Sequence, residues 1–182
     1  MSLNWLPNTL TIARCLLAGV VAWLILILPT GSFVPVIAFV LVALTDFLDG
    51  WAARRFDAVS KFGAFLDPVA DKLLVGLSLV ALTLLIEGQW ILLIPTIVII
   101  LRDTIATILR LFPNIEMPVS RLAKWKTALE MVGIAALLLA SPLASPLITH
   151  AGTLLIWVAA TLSVYTLGLY VGAVIADVKR PH

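Results

Sequence analysis

The chain has a single cysteine, Cys15, and only two histidines, His150 and His182, in 182 residues. One cysteine excludes an internal disulfide and any thiolate metal cluster, and it carries no information about redox compartment. Two histidines, both outside the charged stretches described below, leave no basis for a phosphatase with a histidine nucleophile. Gly/Ser linkers, low-complexity tracts and internal repeats are absent, so 1–182 reads as one domain. Only Arg14 is basic near the start and no A-x-A site follows it, so the first apolar run is expected to stay in the mature protein rather than act as a cleaved signal. Basic residues are also missing from the segments 29–32, 87–89 and 141–152.

Apolar residues are what the chain has in excess. They make up 62% of it, against about 45–50% in soluble globular domains, and the mean hydropathy is +1.14. They fall into six runs, Thr9–Leu28, Phe33–Gly50, Phe62–Ile86, Trp90–Phe112, Thr127–Ala140 and Thr153–Ala176. Crossing about 30 Å of hydrocarbon takes roughly 20 helical residues. The second and fifth runs are short for that and must gain length from a more polar flanking turn. All twelve Lys and Arg lie at alternate ends of the runs, and positively charged loops stay cytoplasmic. The expected fold is therefore all-α, a bundle of six transmembrane helices with both termini cytoplasmic.

Charges at membrane depth are costly and face a bundle interior or a wet cavity. Here they gather at the inner ends of two pairs of runs. The first gathering reads Asp46-x2-Asp49-Gly50-x2-Ala53-Arg54-x8-Gly63-x3-Asp67-x3-Asp71. At about 100° per residue, Asp46, Asp49, Gly50 and Ala53 share one helix face, and Gly63, Asp67 and Asp71 share another. Four carboxylates that close together cannot all stay ionised without a counter-charge. Divalent cations supply it, since hard cations take carboxylate and phosphate oxygens together, and a pair of them suits phosphoryl displacement. Small residues between the acids would let a nucleotide approach the backbone, and Arg54 offers a planar fork for a diphosphate. Alternatively, Asp67 before Pro68 reads as a helix cap with a proline at the first helical position.

This pattern resembles the signature of the CDP-alcohol phosphatidyltransferase family, with every defining residue present and no spacing altered. The resemblance implies transfer of a phosphatidyl group from CDP-diacylglycerol to an alcohol. It implies Asp46, Asp49 and Asp67 as ligands of Mg²⁺ or Mn²⁺, two ions, with Asp71 at the same metal site and acting as general base. It implies Gly50, Ala53, Arg54 and Gly63, with Asp49, as the cradle of the CDP group. A homodimer in a bacterial cytoplasmic (inner) membrane, with its active site facing the cytoplasm, is implied too. Membrane lipids are expected partners and nucleic acid is not.

The second gathering is basic: Arg102, Arg110, Ser120, Lys124, Lys126 and Thr127, with Asp103 among them. An acceptor bearing its own phosphate would need such a cluster. The competing reading is cations snorkelling to lipid headgroups, which suits Arg121 and one of Lys124 and Lys126 better than Arg102. Together with the segment Asn4-Trp5-Leu6-Pro7-Asn8-Thr9-Leu10-Thr11-x2-Arg14 and the stretch at 67–72, the run 120–127 resembles the branch of the family that uses glycerol 3-phosphate. That resemblance places Asn8, Thr11 and Arg14 beside the nucleotide. The alternative acceptor is phosphatidylglycerol, as in cardiolipin synthases on the same motif. A divalent-cation transporter would need polar groups on both sides and often shows repeats, and prenyl-diphosphate transferases have other aspartate spacings.

Overall fold

A computed structural model describes the backbone of residues 5–55, 61–85, 90–109 and 121–178, and side chains over 12–45, 69, 72–85, 90–108, 122, 124–169 and 171–172. Six helices and no strands occur among the described residues: α1 Trp5–Ile27, α2 Val34–Arg55, α3 Lys61–Leu85, α4 Trp90–Leu109, α5 Arg121–Ala140 and α6 Pro146–Val178. Each apolar run has become one helix. The two short runs gained their length at the polar end, α2 by continuing through Trp51–Arg55 and α5 by starting at Arg121. Helix α3 starts six residues before Asp67, so Asp67-Pro68 lies inside a helix and the cap reading fails.

Polarity is distributed inside out. Leu16, Trp23, Leu41, Leu84, Trp90, Leu101 and Leu154 are exposed on the outer faces of the helices, while Arg14, Arg102, Asp103, Lys126 and Glu130 are buried. Soluble monomers rarely expose apolar surface on this scale. A hydrocarbon surround makes both halves of the pattern favourable. The segments Trp90–Ile108 of α4 and Pro146–Leu169 of α6 are long and apolar enough to cross a membrane. Apolar stretches in α1, α2 and α3 are shorter, at Ile12–Ile27, Val34–Thr45 and Lys72–Leu85.

Helix α5 packs most closely on α6 and α1 on α3, while α4 bridges α3 and α6, and α2 touches α1, α3 and α5. Phe39, Leu74, Leu79, Leu92, Ile99, Ile134 and Ile156 fill the centre. Two glycines set the α5–α6 crossing. A Cβ on Gly133 would stand 2.7 Å from Ile156 Cδ1, and one on Gly152 would stand 2.9 Å from Leu137 Cγ and 3.1 Å from the Gly133 carbonyl oxygen. Within lipid, where apolar burial does not drive helices together, such close backbone approach supplies the contact.

Pro95 stands inside α4 and cannot donate to the carbonyl four residues back, that of Ile91. Trp157 of α6 fills the vacancy, its Nε1–H donating to Ile91 O at 3.0 Å. The same two helices meet again further along, at Arg102 and Thr166. At the α5–α6 turn, Ser145 N–H bonds Ala140 O and Ala144 N–H bonds Ser141 O, both at 3.1 Å, with Ala144 at φ +45°. These two hydrogen bonds close α5. Pro146 then opens α6 as its first helical residue.

Candidate functional site

The first gathering lies on α2 and α3, which touch. Asp46, Asp49, Gly50, Ala53 and Arg54 fall in the last three turns of α2, and Gly63, Asp67 and Asp71 in the first three turns of α3. Both stretches are unbroken helix, so the three- and four-residue steps keep each set in one register. Their side chains lie outside the described set, as do those of Asn8 and Thr11 in the first turns of α1. Arg14, described, is buried at 5% exposure, on a helix that packs along α3. The donor chemistry of the four aspartates, all carboxylate oxygen on two adjoining helices, fits a hard divalent cation.

The second gathering is seen at atomic detail. Helix α4 carries Arg102 and Asp103 about 18 Å along its axis from Trp90, at 1.5 Å per residue. Helix α5 brings Lys126 and, one turn on, Glu130, and α6 brings Thr166. Their exposures are 6% for Arg102, 8% for Asp103, 2% for Lys126, 1% for Glu130 and 1% for Thr166. One carboxylate oxygen, Asp103 Oδ1, accepts from Arg102 Nη1 at 2.9 Å and from Lys126 Nζ at 2.5 Å. Glu130 Oε1 lies 3.2 Å from the same ammonium, and Arg102 Nη2 donates to Thr166 Oγ1 at 3.0 Å. From α3, Lys72 Nζ donates to the Asp103 main-chain oxygen at 2.9 Å and to the Thr107 hydroxyl.

Magnitudes explain why these groups come as a set. A charge left alone at this depth is untenable, and removing one partner from a buried pair costs about 3–5 kcal/mol. Arg102 and Lys126 are accordingly matched by Asp103 and Glu130, so these four charges sum to zero. That changes the expectation of a simple excess of cations. The two buried cations are held in place by internal anions, and they converge on one point.

Of the residues expected at the acceptor phosphate, the structure therefore brings Arg102 and Lys126 together. Lys124 is exposed, some 200° round α5 from Lys126 at about 100° per residue. Thr127 is half-buried beside Lys126. Arg110 and Ser120 lie outside the described residues. Sequence reasoning placed Asp103 in this gathering without giving it a role, and gave Lys72, Glu130 and Thr166 none at the acceptor phosphate. The four-residue step from Lys126 to Glu130 is a readable signal. Nothing in the apolar run around Thr166 points to its role.

Alongside the cluster, α3 and α4 enclose a groove of about 350 Å³. Lys72, Thr104 and Thr107 stand at one end of it, and Leu73, Leu77, Val80 and Ile99 make its wall. The polar cluster and the apolar groove thus adjoin, with Lys72 and Asp103 belonging to both.

Comparison with known proteins adds an independent line. The sequence profile of the CDP-alcohol phosphatidyltransferase family matches residues 4–165. A Rickettsia bellii protein named CDP-diacylglycerol–glycerol-3-phosphate 3-phosphatidyltransferase is 37% identical over 166 residues, covering 88% of this chain and 90% of the relative. An Escherichia coli K12 protein of the same name is 35% identical over 179 residues, covering 94% and 96%. A rice protein named cardiolipin synthase (CMP-forming) is 34% identical over 189 residues, covering 90% of this chain and 57% of the relative.

Proposed function

The chain belongs to the CDP-alcohol phosphatidyltransferase family, and from that premise we propose that it transfers the phosphatidyl group of CDP-diacylglycerol to sn-glycerol 3-phosphate, giving phosphatidylglycerophosphate and CMP. The observation that carries the acceptor is the near end-to-end match to relatives named for glycerol 3-phosphate. The buried convergence of Arg102 and Lys126 supports it, because an acceptor with its own phosphate needs cations fixed in place.

In the reaction, a hydroxyl of glycerol 3-phosphate attacks the phosphatidyl phosphorus, the bond from that phosphorus to the CMP oxygen breaks, and the hydroxyl proton leaves to a base. Asp71 is that base in our reading. Asp46, Asp49 and Asp67, with Asp71 adjoining, would hold two divalent cations, Mg²⁺ or Mn²⁺, which when bound neutralise charge on the diphosphate and its leaving oxygen. Arg14, Arg54 and the small residues Gly50, Ala53 and Gly63 bind and orient the CDP group, with Asn8 and Thr11 beside it. Arg102 and Lys126 hold the acceptor phosphate, joined by Arg110, Ser120 and Thr127, while Lys124, on the other face of α5, stays outside this group. The α3–α4 groove gives apolar surface beside the site for a lipid substrate.

Purified enzyme given CDP-diacylglycerol and labelled glycerol 3-phosphate is expected to release CMP and form labelled phosphatidylglycerophosphate. An enzyme that ignores glycerol 3-phosphate and turns phosphatidylglycerol into cardiolipin is a cardiolipin synthase, and the acceptor reading is then wrong.

The same reading puts all six helices across a bacterial cytoplasmic membrane, with both termini and the active site on the cytoplasmic side. The charge asymmetry of the loops supports this orientation. In a Cys15-free background, Lys61→Cys and Arg121→Cys are expected to react with an impermeant thiol reagent only from the inside, and Gly88→Cys only from the outside. Labelling of Arg121→Cys from outside would overturn the six-span arrangement.

A further inference from the structure

Residue 103 is touched by cations from three helices. Its carboxylate takes Arg102 of α4 and Lys126 of α5 on a single oxygen, and its main-chain oxygen takes Lys72 of α3. Lys72 directly follows Asp71 in the chain. Helix α6 adds the fourth element, since Thr166 accepts from the second terminal nitrogen of Arg102.

We propose that Asp103 and Thr166 are positioning residues for the acceptor phosphate, holding Arg102 and Lys126 as a clamp and fixing that clamp against the Asp71-bearing turn of α3. The proposal rests on glycerol 3-phosphate as acceptor. Two like charges that arise 24 residues apart on different helices would separate if nothing lay between them. A shared anionic oxygen at 2.9 and 2.5 Å holds them at one point. Guanidinium is a planar fork, and two anchors fix its plane: Asp103 Oδ1 on Nη1 and Thr166 Oγ1 on Nη2. The Thr166 hydroxyl proton goes to Ser163 O at 3.1 Å, so its oxygen faces Arg102 as an acceptor. Five N–H groups on a guanidinium and three on an ammonium allow such a clamp to hold a carboxylate and a phosphate together. Neither Asp103 nor Thr166 needs to touch substrate. Their work is to set the angle and distance at which the two cations meet it. Through its bond to Arg102, Thr166 makes α6 a contributor to the site.

The test is a steady-state comparison of purified wild-type enzyme with Thr166→Val, Asp103→Asn and Asp103→Glu, varying each substrate in turn. Thr166→Val keeps the side-chain shape and removes only the acceptor oxygen. It is expected to raise the KM for glycerol 3-phosphate roughly tenfold, the scale of one lost hydrogen bond to a charged group, and to leave the KM for CDP-diacylglycerol within about twofold. Asp103→Asn is expected to raise the same KM by roughly 10- to 100-fold, and Asp103→Glu to recover most of it. Folded variants whose KM for glycerol 3-phosphate is unchanged overturn the proposal. So does a loss that moves both KM values and the thermal midpoint together, because that is the mark of a merely structural network. Should Asp103→Asn fail to fold, Thr166→Val decides alone. Wild-type enzyme that does not use glycerol 3-phosphate overturns the acceptor reading, and the proposal falls with it.

Discussion

Asp67→Asn is expected to bring CMP release from CDP-diacylglycerol down to the uncatalysed background, and Asp46→Asn to do the same. Asparagine has the shape of aspartate but lacks its charge, so the helix should tolerate it while the metal site should not. Hard cations hold on chiefly to anionic oxygen, and here Asp46, Asp49 and Asp67 would hold two ions, with Asp71 adjoining as the base. Taking away one of these three ligands removes a third of the liganding charge that draws the ions in. A chelator should therefore reproduce the effect in the wild-type enzyme, with activity returning on addition of Mg²⁺ or Mn²⁺. A thermal unfolding curve close to wild type shows that a variant is folded. Turnover by folded Asp67→Asn, or wild-type activity indifferent to chelation, would remove the metal from this reading.

The helices were legible because the period and the hydrocarbon thickness constrain them together. Six runs gave six helices, and the two that were too short extended in the one direction open to them, into Trp51–Arg55 and from Arg121. The register of Asp46, Asp49 and Gly50, and of Gly63, Asp67 and Asp71, follows from unbroken helix alone. What the sequence hid is long-range pairing. Gly133 and Gly152 look like any glycine in an apolar run until the helices are crossed. That Trp157 repairs the gap left by Pro95 requires knowing that α4 lies beside α6. The acceptor cluster shows the same division. Arg102 and Lys126 stood out as cations at depth. Their neutralisation by Asp103 and Glu130 is a matter of three-dimensional pairing, and the role of Thr166 has no local signal.

Inside-out polarity also bears on how the site works. Every charge buried between these helices must be matched nearby, because the lipid around them offers no water to screen it. The pairing of Arg102 and Lys126 with Asp103 and Glu130 meets that requirement before substrate arrives. On the reading proposed above, a clamp built this way would need no reorganisation of its cations as the acceptor binds.

Asp71→Asn is expected to separate chemistry from binding. Residue 71 follows Asp67 by four positions on the same register of α3, one step from the carboxylates assigned to metal. The residue after it, Lys72, is tied to the Asp103 carbonyl, so this turn of α3 is fixed against the helix that carries Arg102. A base at position 71 therefore lies between the metal site and the acceptor clamp in the order of the fold, where the acceptor hydroxyl must pass its proton on. An amide cannot take that proton. Loss of a general base costs about 10²–10⁴-fold, so kcat should fall by that much in Asp71→Asn. Three carboxylates remain for the metals, and the CDP cradle is untouched. Stabilisation of the variant by CDP-diacylglycerol with Mg²⁺, read as a thermal shift, should therefore stay close to that of wild type. Full activity in Asp71→Asn would take the residue out of the mechanism. Lost activity together with a lost thermal shift would make it a metal ligand first, and the base would then have to be sought elsewhere.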